Sequence, residues 1–171
     1  RLFRSILKQE ITLRLDGQNE KIVPSGISLL EILKRFGNSK ETVGISVNGV
    51  SRDLSDILEE DTDLTFLAFD SPEGREIYRH SSAHVMAQAV KELFPSAKVT
   101  IGPAIADGFY YDFDFERPFT PADLQKIETR MKQIVKRNLP ITRTELSKEE
   151  AIALFKKQEE PYKIELVEGL D

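Results

Sequence analysis

His80 and His84 are the only two histidines in the chain, and both fall in the five-residue stretch HSSAH. A spacing of four puts two side chains on the same side of a helix. Two imidazoles so placed can ligate a metal ion. They can also divide acid and base work, since a histidine titrates close to neutral pH, or simply be polar surface residues. A zinc ion takes three or four protein ligands, and this chain contains no cysteine to supply a thiolate. The position after His80 is Ser81, where the zincin pattern requires glutamate, so no metal site is expected. Ser81 lies three residues before His84. Helical neighbours at that spacing seldom align a hydroxyl with an imidazole, and the chain has no G-x-S-x-G elbow.

Three further groups of residues carry possible chemistry. In IGPAIADGFYY, Gly102 and Gly108 would let the backbone approach a ligand, and Tyr110 or Tyr111 could stack on a nucleobase or donate a hydroxyl. The plainer reading is that Gly and Pro make the turn. Asp112, Asp114 and Glu116 alternate along an extended run, but the spacing of a calcium loop is missing and a solvated sheet face is expected. Between residues 126 and 143, six basic residues (Lys126, Arg130, Lys132, Lys136, Arg137 and Arg143) face the single acid Glu128. They form either a solvated helix face or a stripe that tracks phosphates. A net charge of −5 gives the whole chain no general attraction for nucleic acid.

With 171 residues, 40% of them hydrophobic, the chain can bury one large core or two small ones. No apolar run is long enough to span a membrane, and there is no signal-peptide pattern. The absence of cysteine removes any disulfide framework, so a cytoplasmic protein is expected. A start at Arg1 and an end after LVEGLD suggest a piece of something longer.

The first unit, from about Lys8 to Asp70, opens with a hairpin on Ile11, Leu13 and Leu15 that turns at Asp16-Gly17 and returns through Ile22 and Val23. A helix follows, with Ser28 and Glu31 as capping box, Gly37 as C-cap, and Leu29, Leu30, Leu33 and Phe36 as its apolar stripe. Asn48-Gly49 marks a two-residue turn, and DLTFLAF a last strand. This order describes a β-grasp, or ubiquitin-like, sheet with one helix laid across it.

DSPEG reads as a junction of breakers. The second unit starts with a helix from Arg75 to Pro95, whose apolar stripe falls on Met86, Ala89, Val90 and Leu93. His80, His84, Gln88 and Lys91 gather on its other side at the helical step of about 100° per residue. AKVTIG and FYYDFDF read as strands around the Gly/Pro loop. Thr120 and Pro121 open a helix, PITRTEL reads as a strand, Ser147 and Glu150 cap another helix, and YKIELV reads as a final strand. Interleaved helices and strands make the class α+β, an α+β sandwich following the β-grasp unit.

RHSSAHVMAQAVKELFP, followed by AKVTIGPAIADGFYYDFDF, resembles the opening of the editing domain of the bacterial threonyl-tRNA synthetases. H-S-x-A-H, I-G-P and D-G-F-Y-Y-D-F-D in that order are far more specific than a lone H-x-x-x-H, and the preceding β-grasp unit is similar to their TGS domain. The resemblance covers residues 8 to 171 and implies a TGS domain over 1–70 and a truncated editing domain over 71–171. It also implies hydrolysis of seryl-tRNA(Thr), because discriminating serine from threonine by one methyl gives only ~10–200-fold and calls for a second sieve. By position, His80 would activate or orient the attacking water, and His84 would shape the site. Tyr111 and Gly102 would lie near the tRNA terminus, and Lys163 would hold the ester or phosphate end. The family completes this site with an Asp and a Cys-x-x-x-His absent from this sequence, so weak or no deacylase activity is expected. The implied partner is the acceptor end of tRNA(Thr), with Lys126, Arg130, Lys132, Lys136 and Arg137 as candidate contacts and no membrane. ATP, Mg and Zn would serve a catalytic domain that is not present, through which the parent enzyme would form a homodimer. Two rivals remain: an RNA-binding or regulatory module without catalysis, and a stand-alone hydrolase of the alanyl type, against which the TGS-like unit argues.

Overall fold

The hairpin, turn and capping signals of the first sixty or so residues produce the elements they call for. The computed structural model describes residues 9–38, 40–105, 107–142 and 144–170; Lys8 and Arg143 lie outside them. The described residues up to Tyr78 form one compact unit, and those from Arg79 a second.

In the first unit, β1 (Glu10–Leu15) pairs antiparallel with β2 (Asn19–Pro24). Alternation sends Ile11, Leu13 and Leu15 inward, and the turn between the strands has positive φ at Asp16 and Gly17. Two residues, β3 (Ile27–Ser28), lead into α1 (Leu29–Phe36), where the Ser28 hydroxyl accepts the Glu31 amide at 3.2 Å, but the Glu31 carboxylate takes the Arg35 guanidinium one turn on instead of completing the expected capping box. The helix buries Leu29 and Ile32, with Leu33 and Phe36 packed on the core, whereas Leu30 is exposed. A step of about 100° takes Leu30 off the stripe that Leu29, Leu33 and Phe36 share and puts Ile32 on it. Gly37 is the C-cap without a left-handed conformation. Its φ is −80°, and a Cβ there would meet the Leu33 carbonyl oxygen at 2.7 Å. Close approach, not backbone freedom, is what requires glycine at this position.

β4 (Thr42–Val47) and β5 (Val50–Arg52) are joined through Asn48 and Gly49, both at positive φ, as a two-residue hairpin demands. β6 (Ile57–Leu58) pairs with β3, a ladder too short to stand out in the sequence. β7 (Thr62–Ala68) then enters between β1, to which it is parallel, and β4, to which it is antiparallel. The order β2-β1-β7-β4-β5, with first and last strands side by side and a helix over one face, is the expected β-grasp. Ile11, Leu13, Leu29, Ile32, Ile45 and Leu64 fill its core at no more than 1% exposure.

DSPEG is not a free junction. α2 runs over Pro72–Leu93, so the Pro-Glu-Gly of this stretch forms its first turn. Proline suits the first helical position, and the Ser71 hydroxyl accepts the Gly74 amide at 3.0 Å as a cap. Beyond α2 lie β8 (Lys98–Val99), β9 (Ala104–Ile105), β10 (Gly108–Phe109) and β11 (Phe113–Asp114). The expected Gly/Pro loop therefore contains a small hairpin, β9 with β10. FYYDFDF is not one strand: its regular pairing lapses between β10 and β11, although bonds between Asp112 and residues 100 and 101 bridge the gap. Its alternation survives, with Tyr111, Phe113 and Phe115 more covered than Tyr110, Asp112 and Asp114.

α3 (Pro121–Lys136) starts on the expected Thr120 cap, which Asp123 completes as a capping box, and α4 (Lys148–Lys157) on the expected capping box of Ser147 with Glu150. The Asp123 carboxylate also takes the Arg117 guanidinium at 2.6 Å. That bond first, and the Thr120 amide and hydroxyl next, hold its carboxyl well below the ordinary carboxylate range. PITRTEL forms no strand in its described residues, and Ile141 is 74% exposed. YKIELV is not a strand but part of α5 (Pro161–Glu168), opened by proline at its first position. Its two-residue apolar rhythm is overridden by packing against α4 and β8. Ala89, Val90, Ala97, Ile127 and Ile134 form the core of the second unit, ringed by Phe94, Phe113, Phe115 and Phe119. Both units mix helix and sheet, as the α+β class requires. Among the described residues no helix is long and apolar enough to cross a membrane.

Candidate functional site

α2 presents both imidazoles at the surface. Their Nε2 atoms stand 2.8 Å apart, and the rings meet edge to face with centroids separated by 4.5 Å. A hydrogen bond at that distance needs one Nε2–H donor and one bare Nε2 acceptor, so the two rings cannot both be protonated. When both are neutral, the donor ring keeps a free lone pair on Nδ1. That nitrogen can act as a base.

Partial burial, then His80, then Lys163 lower the pKa of His84 from its ordinary value. All three disfavour the charged form of His84. Lys163, on α5, sits with Nζ 5.4 Å from the centre of the Phe155 ring, and its charge reaches His84. The Lys163 charge is thus felt at His84, beside His80.

Tyr111 and Gly102 pack directly on one another. A Cβ on Gly102 would come within 2.1 Å of the Tyr111 ring, so the space a side chain would occupy is taken by the tyrosine. The ring also stacks on Phe113 at 5.0 Å. Burial, and then the Glu160 carboxylate, raise the Tyr111 pKa above its ordinary value, which keeps its hydroxyl a donor.

Glu160 is the residue that sequence reasoning missed. It is buried at 4% exposure, takes the Lys91 ammonium at 2.9 Å and accepts the Val99 amide at 3.3 Å. Lys91 falls on the histidine side of α2 in the sequence, but no pattern in EEPYK marks Glu160 as buried.

The basic stripe does not form one surface. Arg130 and Arg137 both turn to Glu92, at 3.6 and 3.2 Å, and Lys132 pairs with Glu128 at 2.6 Å. At about 100° per residue, Lys132 and Lys136 lie on a different flank of α3 from Lys126, Arg130 and Arg137. Asp114 accepts the Tyr162 hydroxyl at 2.8 Å. Among the described residues no three His, Cys, Asp or Glu side chains gather as a metal ion would need.

No protein-family model matches the chain. It is 52% identical over 163 residues to a threonine–tRNA ligase of Desulforamulus reducens, an alignment covering 94% of this chain and 25% of that protein. A threonine–tRNA ligase of Carboxydothermus hydrogenoformans is 47% identical over 162 residues, 94% of this chain and 26% of the relative. One of Clostridium tetani is 49% identical over 150 residues, 86% of this chain and 24% of the relative. The chain spans about a quarter of the length of the curated relatives it matches, and the resemblance carried by its motifs is borne out.

Proposed function

We infer that this chain is the N-terminal part of a threonine–tRNA ligase, with a TGS-type unit through residue 70 and, from residue 71, part of the site that hydrolyses seryl-tRNA(Thr). The observation that carries the reading is the imidazole pair of α2, at 2.8 Å, with the Lys163 charge in reach of it. In ester hydrolysis a water oxygen attacks the seryl carbonyl carbon, its proton goes to a base, and the departing ribose oxygen is protonated. The free ring nitrogen of the pair is a base for that water. Lys163 offers positive charge to the carbonyl oxygen as it becomes an oxyanion, or to the terminal phosphate. The Tyr111 hydroxyl is a donor for the terminal nucleotide.

On this reading tRNA(Thr) is the partner and the cytoplasm the location. ATP, magnesium, zinc and homodimer contacts belong to aminoacylation in the remainder of the ligase. The residues described here do not fit a metal ion, and no step runs through one. With no cysteine in the sequence, the base lacks the further polar groups that the family uses. The chain alone is therefore expected to deacylate seryl-tRNA(Thr) slowly or not at all, with its fold intact. Release of labelled serine, measured against buffer and against His80→Ala, tests this: near-native turnover by the chain alone would overturn it. An RNA-binding module is the second reading. It is favoured by exposed Lys126 and Lys136, which have no ion pair among the described residues, and it predicts salt-dependent RNA affinity indifferent to His80→Ala.

A further inference from the structure

The N-caps of the second unit follow one rule with one exception. Thr120 and Ser147 turn their side chains onto their own helices. Glu160 is the N-cap of α5 and makes no side-chain cap. Its carboxylate is turned away, buried, onto the Lys91 ammonium of α2 and the Val99 amide of β8. An uncapped helix start leaves amides unsatisfied, so the side chain serves something other than its own helix.

The backbone leading into Glu160 is fixed too. Its amide donates to the Phe155 carbonyl at 3.0 Å and the Glu159 amide to that of Lys156 at 3.1 Å, while Glu159 takes a φ of +56°. These are the paired bonds of a Schellman ending to α4, made with a residue that disfavours the left-handed conformation. Such strain persists only where the surroundings over-determine it.

Lys91 itself is pinned. Its ammonium also donates to the Pro95 carbonyl at 3.3 Å and the Ala97 carbonyl at 3.0 Å. Lys91 lies seven residues after His84, about two turns along the same side of α2. Lys163 lies three residues after Glu160 on α5, within one turn. One buried contact therefore ties the side of α2 that bears the histidines to the start of the helix that bears Lys163.

We propose that the half-buried Lys91–Glu160 ion pair is a positioning device that holds the start of α5, and with it Lys163, on the histidine side of α2. Glu160 is a positioning residue and touches no reacting atom. Its importance for hydrolysis rests on the editing reading above, whereas the placement of Lys163 does not. The charged and titratable groups felt by His84 are His80 on its own helix and Lys163 from α5.

Opposite signs make the test decisive. Any direct effect at His84 of removing the Glu160 carboxylate would be the withdrawal of a negative charge, which lowers a histidine pKa. Releasing Lys163 withdraws a positive charge, which raises it. Histidine titration by NMR on the whole chain reads the two apart. Lys163→Met sets the reference, an upward shift of the His84 midpoint. Glu160→Ala is expected to move the midpoint upward as well, and to add no upward shift in the Lys163→Met background. Glu160→Asp keeps the charge and shortens the reach, and is expected to move it upward by less. Should Glu160→Ala lose native amide dispersion, Glu160→Asp carries the same test. A midpoint that falls or stays put in a folded Glu160 variant, while Lys163→Met raises it, overturns the proposal. If His84 responds as expected but no seryl-tRNA hydrolysis depends on His80, the placement of Lys163 stands and the editing reading falls alone.

Discussion

Gly102→Ala is expected to destabilise the second unit by about 3 kcal/mol, at the upper end of ordinary overpacking costs. The new methyl would lie 2.1 to 2.6 Å from three ring atoms of Tyr111, and the ring is held on its far side by its stack on Phe113. It must leave or the backbone must shift. The three nearest atoms all belong to Tyr111, which makes the sign of the effect reversible. In a Tyr111→Ala background the space is open, and Gly102 does not need a left-handed backbone. The same Gly102→Ala change should then be neutral, or stabilising by about 0.5 kcal/mol through the less flexible unfolded chain. A double-mutant cycle from urea unfolding measures this coupling. Equal costs in both backgrounds would contradict the packing described here.

Gly74→Ala should be as damaging, and no second substitution should relieve it. Helix propensity alone favours alanine over glycine by about 1 kcal/mol, and Gly74 lies in the first turn of α2. Propensity is overruled by contact, because the added Cβ would stand 1.9 Å from the Ala68 carbonyl oxygen. That oxygen is backbone at the end of β7, and it already accepts the Ser71 amide at 3.0 Å and the Ser71 hydroxyl at 2.8 Å. It cannot swing aside as a flexible side chain would. A loss of about 3 kcal/mol in the first unit is expected, read by thermal unfolding and by loss of amide protection at Ser71 and Gly74. A variant more stable than the parent would show that propensity decides this position.

Those two glycines also show what the sequence makes legible. Asn48-Gly49 and Asp16-Gly17 are readable because a tight turn demands positive φ from adjacent residues, a purely local requirement. Gly74 and Gly102 are required by atoms elsewhere in the chain, and nothing local announces that. DSPEG misleads for the same reason: serine, proline and glycine break chains, yet Ser-Pro is also how a helix begins. The cap at Thr120 and the capping box at Ser147 are legible because the partners lie within four residues. YKIELV has the rhythm of a strand, but an eight-residue segment takes its form from the surfaces it packs on. The histidine pair was visible as a spacing, and its polar side of α2 followed from the helical step. Lys163 entered only through resemblance to a family. Glu160, the buried link between Lys91 and α5, could not be read at all, because an exposed and a buried glutamate look alike in one sequence.

On the function proposed above, the His80–His84 face, with Lys163 and Tyr111, receives the serine-bearing 3′ end of tRNA. An adenosine carrying serine at its 3′ position through an amide, which cannot be hydrolysed, tests it without relying on turnover. Added to the chain and followed by NMR, it is expected to shift the ring signals of His80, His84 and Tyr111, and to lose affinity in Lys163→Met. Perturbation confined to the exposed lysines of α3, with the imidazole signals unmoved, would contradict the claim.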